Sequence, residues 1–257
     1  ELCRSVSTLH LTVRRGMHML VWADACVSDL NVKNLHGTRI PPLRPLILTW
    51  RLPWFCLTKF SRNALTNLKQ LKFGDGFNGE IYDIVWLSSL QQITLGNNFD
   101  QAIDSVAWPT TVQQLTFGRH FNQPIDEVLW PASLQKLTFG ETFNQKIDNV
   151  SWPTYLLNLT FGYYFNQAID EVAWPKSVQQ LKFGYCFNQS LDKVLWPESL
   201  QQLAFGYGFN QKIKGVAWPA SLQDLAFRYS FNNAIDTVLW PALLQKLSFG
   251  ECFDQAI

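Results

Sequence analysis

From Leu68 onward the apolar residues recur on a fixed spacing that matches neither a helix nor a plain strand. In the stretch Val112 to Ser133, VQQLTFGRHFNQPIDEVLWPAS, the apolar positions are Val112, Leu115, Phe117, Phe121, Ile125, Val128 and Trp130, with gaps of 3, 2, 4, 4, 3 and 2. No single helical stripe fits that series. A coil that turns three or four corners does fit, with an apolar side chain pointing inward at each. The series then repeats without slip: tryptophan returns every 22 residues from Trp86 to Trp240, and phenylalanine every 22 from Phe77 to Phe253. One such coil cannot bury its apolar side alone, whereas a stack of coils can.

Within the unit, Leu115 and Phe117 alternate with Gln114 and Thr116, the period of a strand with one face buried. Successive strands are predicted to pair in parallel, one per coil. Gly118 and its copies end the strand where a bend needs a residue without Cβ, and only Arg228 departs from that column. The column running from Asn78 through Asn122, Asn144 and Asn166 to Asn232, with Asp100 and Asp254 as variants, is read as a ladder. Its amides, with the adjoining glutamines, would satisfy backbone groups that the corners leave unpaired. The Trp-Pro pair fixes φ and disfavours helix, so the back of each coil is predicted to be extended chain with a tight turn at Pro-x-Ser.

Composition divides the chain. Net charge is +1 overall, which argues against a nucleic-acid surface. Residues 1–63 carry nine Lys/Arg against three Asp/Glu, while residues 64–257 carry twelve against seventeen, that is +6 and −5. Residues 1–63 form an atypical basic segment without recognisable repeat: a cap, a small module, or sequence not native to the protein. Residues 64–257 form the repeat solenoid. An open stack end exposes strand edges, so further coils are expected after Ile257. The five cysteines have no metal or redox spacing, which favours a reducing, cytoplasmic setting. No secretory signal and no apolar run of membrane-spanning length is present, so no membrane partner is expected.

The string L-x-x-L-x-F-G-x-x-F-N-Q-P-I, closed by P-x-S-L and best seen at Leu115–Ile125, resembles the FNIP repeat, a variety of leucine-rich repeat. The resemblance covers about three quarters of the chain. It implies a mainly β fold: a right-handed leucine-rich-repeat-like solenoid of about nine 22-residue coils with one parallel sheet and an extended, turn-rich back face. It also implies a protein-interaction role. Trp-Pro in place of aliphatic-Pro, and Ala, Lys or Ser where Pro124 stands, depart from the family pattern.

Chemistry finds little footing. Asp104, Asp126, Asp148, Asp170, Asp192 and Asp236 form a column, but the glycine-rich nonapeptide of calcium-binding β-rolls is absent. These residues are read as caps of turns. His120 is the single histidine among the repeats, and no catalytic spacing or phosphate loop accompanies it. No enzyme activity, cofactor or metal is expected, and a small-molecule ligand is not expected either. The sequons at Asn149, Asn158 and Asn188 are read as accidental.

Positions that vary from coil to coil are free to serve binding. The pair after the glycine varies most, and its first member is tyrosine in four successive coils: Tyr163, Tyr185, Tyr207 and Tyr229. Exposed tyrosine is a favoured interface anchor. With Tyr164, Arg119 and His120 of the same pair, and the outward strand residues Thr116, Thr138, Thr160 and Lys182, it makes up the candidate surface for a protein partner. The competing reading of the tyrosines is stacking that stabilises the bend. A repeat array recognising a polymer or surface, glycan or ice, through regular ladders is the second functional reading.

Overall fold

The computed structural model describes residues 68–256, together with the backbone of four short strands in the preceding segment: β1 (Leu9–His10), β2 (Met19–Val21), β3 (Asp29–Asn31) and β4 (Leu46–Leu48). Nine three-residue strands follow at 22-residue intervals: β5 (Gln70–Lys72), β6 (Gln92–Thr94), β7 (Gln114–Thr116), β8 (Lys136–Thr138), β9 (Asn158–Thr160), β10 (Gln180–Lys182), β11 (Gln202–Ala204), β12 (Asp224–Ala226) and β13 (Lys246–Ser248). No helix occurs among the described residues. Strands β5 to β13 pair in parallel in chain order, each leucine opposite its copy, as in Leu115↔Leu137 and Leu181↔Leu203. The result is a mainly β solenoid of about eight turns. The sheet extends to eleven strands, because β3 pairs with β5 through Leu30↔Leu71 and β1 with β3 through Leu9↔Leu30. β2 and β4 form a separate antiparallel pair, an addition to the single sheet expected. The boundary at Asn63 lies outside the described residues.

Each coil turns three corners. In the coil of β7, Phe121 N–H donates to Gly118 O (3.4 Å), Val128 N–H to Ile125 O (3.4 Å) and Leu134 N–H to Pro131 O (3.0 Å), all β-turn bonds. The glycine column is explained by the neighbouring coil. Every described glycine but Gly215 keeps negative φ, yet a Cβ built on Gly140 would overlap the carbonyl of Gly118, and one on Gly118 that of Gly96. Close approach of coils, not backbone freedom, requires glycine there.

The Val-x-Trp segment carries a fourth, tighter feature. Trp N–H donates to the valine carbonyl two residues back at 3.0–3.1 Å in the coils of Trp108, Trp152, Trp174 and Trp218, a γ-turn. Those are the coils whose apex residue is small: Ala107, Ser151, Ala173 and Ala217. The coils with Val85, Leu129, Leu195 or Leu239 at the apex lack the bond. All eight apex side chains are exposed.

The core is the inward columns stacked on themselves. Leu115, Leu137 and Leu159 are 0% exposed, as are Phe121, Phe143 and Phe165. Rings of the Phe121 column lie 6.0–6.1 Å apart and within 11° of parallel. The tryptophans are less enclosed than expected. Trp108, Trp174 and Trp196 are buried, but Trp130, Trp152, Trp218 and Trp240 only partly. Seven indole N–H groups, from Trp86 to Trp218, are buried without a nitrogen or oxygen acceptor among the described residues. Perpendicular packing against phenylalanine, as for Phe117 and Trp130 at 6.4 Å and 81°, is the arrangement that lets an N–H meet a π face.

Coil spacing grows away from the sheet. Strands lie about 4.8 Å apart. Ring centroids of the Phe117 column are separated by 5.4–5.8 Å, those of the Phe121 column by 6.0–6.1 Å, and those of the tryptophan column by 5.6 Å at Trp86–Trp108 and 6.1–6.5 Å in the later coils. The stack therefore bends with the sheet on its concave side.

Between the first and second corners no backbone ladder exists, and side chains replace it. Asn122 Oδ1 accepts the Asn144 N–H at 2.9 Å, and Asn122 O accepts Gln145 Nε2 at 2.8 Å. The same pattern runs from Asn78 to Gln255. Asp100 serves equally, its carboxylate accepting the Asn122 N–H at 2.8 Å. The ladder is half-exposed rather than fully buried. A second stitch, not foreseen, runs along the Pro-x-Ser turn. Ser133 Oγ donates to Thr110 O (2.6 Å) and Val112 O (2.7 Å) of the preceding coil, with Thr111 and Ser221 repeating it.

Candidate functional site

The turn after the glycine places one side chain per coil on the rim of the concave sheet. Its backbone is laddered: Thr142 N–H donates to Arg119 O, Tyr164 N–H to Glu141 O and Cys186 N–H to Tyr163 O, at 2.8–2.9 Å. The pitch of the stack thus sets the spacing of these side chains. Tyr163 and Tyr185 rings stack at 4.6 Å and 8°, Tyr185 and Tyr207 at 5.3 Å and 12°, Tyr207 and Tyr229 at 6.3 Å and 24°. Tyr164 closes the first end of the row, edge-on to Tyr163 at 4.7 Å and 65°. Each of these residues remains 41–51% exposed. The faces of the rings cover one another, and the outer edges stay in water.

Arg119 joins the same line. Its Nε pairs with Glu141 at 2.8 Å, and Glu141 precedes Tyr163 in the column. Arg119, Glu141 and the four tyrosines therefore form one stripe across six coils. Glu141 is the member that reading the sequence missed. The paired position one coil on from Arg119 was the available signal. His120 is exposed, and only its backbone is engaged, donating to Asn97 O at 2.9 Å. Beside the stripe, Thr116, Thr138 and Thr160 lie half-exposed on the outer face of the sheet, followed by exposed Lys182 and the small Ala204 and Ala226. The floor is thus lower next to Tyr207 and Tyr229 than next to Tyr163.

The phenol of Tyr163 is held above the ordinary tyrosine range, chiefly because its packing removes water, then by Tyr185, Cys186, Tyr164 and Glu141. Tyr229 is raised as well, first by the charge and hydrogen bond of Cys252, then by Glu251. Both hydroxyls are protonated donors at neutral pH.

The aspartate column does not act as expected. Asp126 sits at the tip of the Ile125–Val128 turn, and neither it nor Asp104, Asp148, Asp170 or Asp236 makes a side-chain hydrogen bond among the described residues. These carboxylates project into solvent because a tip residue points away from the N–H groups it would cap. Among the described residues no three His, Cys, Asp or Glu side chains converge to hold a metal.

Comparison with known proteins agrees with this geometry. The FNIP Repeat family model matches in five overlapping segments, residues 109–142, 121–164, 143–186, 165–208 and 187–230. Among solved structures the chain is similar to CroV588, described as a novel circular LRR protein, at 38% identity and a TM-score of 0.63. That match covers 75% of this chain and 32% of CroV588, so the chain spans about a third of that protein's length. It is also similar to an internalin, InlF, from Listeria monocytogenes at 17% identity and a TM-score of 0.51, over 76% of this chain and 57% of the other, a likeness of fold alone. No curated protein matches. Residues 109–230 are FNIP repeats, set in a leucine-rich-repeat-like solenoid.

Proposed function

We propose that the chain is a non-catalytic scaffold that binds a protein partner along the concave sheet and the tyrosine stripe at its rim. The carrying observation is the stack Tyr163–Tyr185–Tyr207–Tyr229, ordered ring against ring yet with each residue more than 40% exposed. Ordering side chains before binding removes part of the entropy cost of an interface. Stacked tyrosines offer hydroxyl donors at coil spacing together with apolar edges. A glycan or ice surface is the weaker reading. Ring faces that would stack on sugars are already occupied, and the outer strand column passes from Thr160 to Lys182 to Ala204 rather than staying regular. The unpaired Cys186 and Cys252 favour a reducing, cytoplasmic setting. No helix among the described residues is long and apolar enough to cross a membrane. Affinity capture from the native cell with the wild type and a Tyr185→Ser/Tyr207→Ser variant tests the proposal. Loss of specific partners with an unchanged circular dichroism spectrum is expected, and an identical partner set from both would count against it.

A further inference from the structure

A second surface lies on the side of the coil that carries the Val-x-Trp apex. The apex is exposed in all eight coils, and it never bears a charge. Leu129, Leu195 and Leu239 are 79%, 80% and 87% exposed there. Between them the small apices Ser151, Ala173 and Ala217 leave gaps. A neighbouring line is mainly acidic: from the Leu129 coil to the Leu239 coil the tips of the second corner hold seven carboxylates, Asp126, Glu127, Asp148, Asp170, Glu171, Asp192 and Asp236. Lys193 and Lys214 are the two cations at those tips, and Lys146 and Lys212 lie two residues ahead of the tips at Asp148 and Lys214. None of the seven makes an ion pair among the described residues.

We infer that this apolar stripe and its acidic flank dock a basic amphipathic helix of a partner protein, separately from the tyrosine surface. The pitch argues for a helix. Coils in this column step by 5.6–6.5 Å, close to the roughly 5.4 Å of one helical turn. Side chains from successive turns thus meet successive coils and enter the gaps beside the leucines. Five such steps carry Leu129 to Leu239, about 30 Å, the length of a helix of roughly 20 residues. Charge argues for a basic flank, since seven unpaired carboxylates are complemented by Lys and Arg. A second copy of this chain fits poorly. Docked antiparallel, it sets acidic line against acidic line. Docked parallel about a twofold along the stripe, it sets Leu129 on Leu129, knob on knob.

The test uses the full chain and a fluorescein-labelled 20-residue helical peptide with leucines along one face and Lys/Arg flanking them, read by fluorescence anisotropy. A matched peptide with Glu for every Lys/Arg is the control. The basic peptide is expected to bind, more weakly as salt rises, and the acidic one not to bind. Leu129→Ser/Leu195→Ser/Leu239→Ser is expected to weaken binding at least about tenfold, while Tyr185→Ser/Tyr207→Ser leaves it unchanged, so that failure here and failure of the tyrosine surface are distinguishable. Equal binding of both peptides, full binding by the leucine variant, or a wild-type dimer in sedimentation that the leucine variant does not form would each overturn the inference. The comparison of the two peptides on the wild type needs no variant to fold.

Discussion

At the scale of single residues, the ladder between coils rests on one atom type. Asn144 Oδ1 accepts both the Asn166 N–H (2.9 Å) and Gln167 Nε2 (3.1 Å). Asn144→Ala orphans the Asn166 N–H, while Gln167 Nε2 keeps the Asn144 carbonyl at 2.9 Å, and is expected to cost about 1–3 kcal/mol. Asn144→Asp keeps the acceptor, as Asp100 does, and is expected to unfold near wild type in urea at neutral pH. Glycine substitutions separate two causes. Gly140→Ala drives a methyl into the Gly118 carbonyl and is expected to cost at least about 2 kcal/mol. Gly215→Ala meets open space at φ 84° and is expected to lose about 1 kcal/mol from backbone strain alone. Chemical denaturation of the pair checks the order. The tyrosine stack adds a pH dependence. With the Tyr163 and Tyr229 phenols raised in the folded state, their contribution to stability is complete below the ordinary tyrosine pKa and is lost as pH rises through the folded values. Ultraviolet titration of the folded protein should show part of the phenolate signal appearing above that of the unfolded chain, and a loss of the delay in Tyr163→Phe/Tyr229→Phe.

At the scale of the coil, much was legible in the sequence, for a physical reason. An inward column must pack on its own copy, so Leu115 or Phe121 cannot change character without a hole in two neighbours. The Asn-Gln pair was legible likewise, because its bonds run to the next coil's same positions. The apex stripe was not. Between the inward Val128 and Trp130 columns the residue is Leu in some coils and Ala or Ser in others, so the column has no single character to read. The serine stitch was hidden because Ser133 donates to Thr110 and Val112, partners 23 and 21 residues back that carry no pattern of their own. The aspartates were misjudged because tip and cap positions have the same composition. The coil is also the unit of change. Deleting one whole period, residues 134–155, rejoins matching ends and is expected to leave a native-like circular dichroism spectrum. Deleting eleven residues puts Trp and Leu columns out of step and should abolish cooperative melting.

At the scale of the molecule, the bend and the two faces define what the solenoid offers. The sheet is concave, with the tyrosine stripe on its rim, and the Val-x-Trp apices lie on another side of the coil. A ligand on one face does not cover the other. Each coil bonds mainly to its immediate neighbours, so stability is expected to be graded along the stack. Around β13 the inward residues Leu247, Phe249 and Phe253 are only partly buried, whereas Leu159 and Phe165 are 0% exposed. Native-state hydrogen exchange should therefore order the coils by how fully their inward columns are enclosed, and uniform protection would refute graded stability.

The asparagine ladder gives the stack an arrow. Every Oδ1 accepts from the coil that follows it in the chain, and no bond of this ladder runs the other way. Any cross-section of the solenoid thus offers bare acceptors on one side and bare donors on the other. Each coil must bring its donors to acceptors already held by the coil before it, so coils add in one direction only. The stack thus selects for polarity before any other side chain is compared, and its growth reads direction.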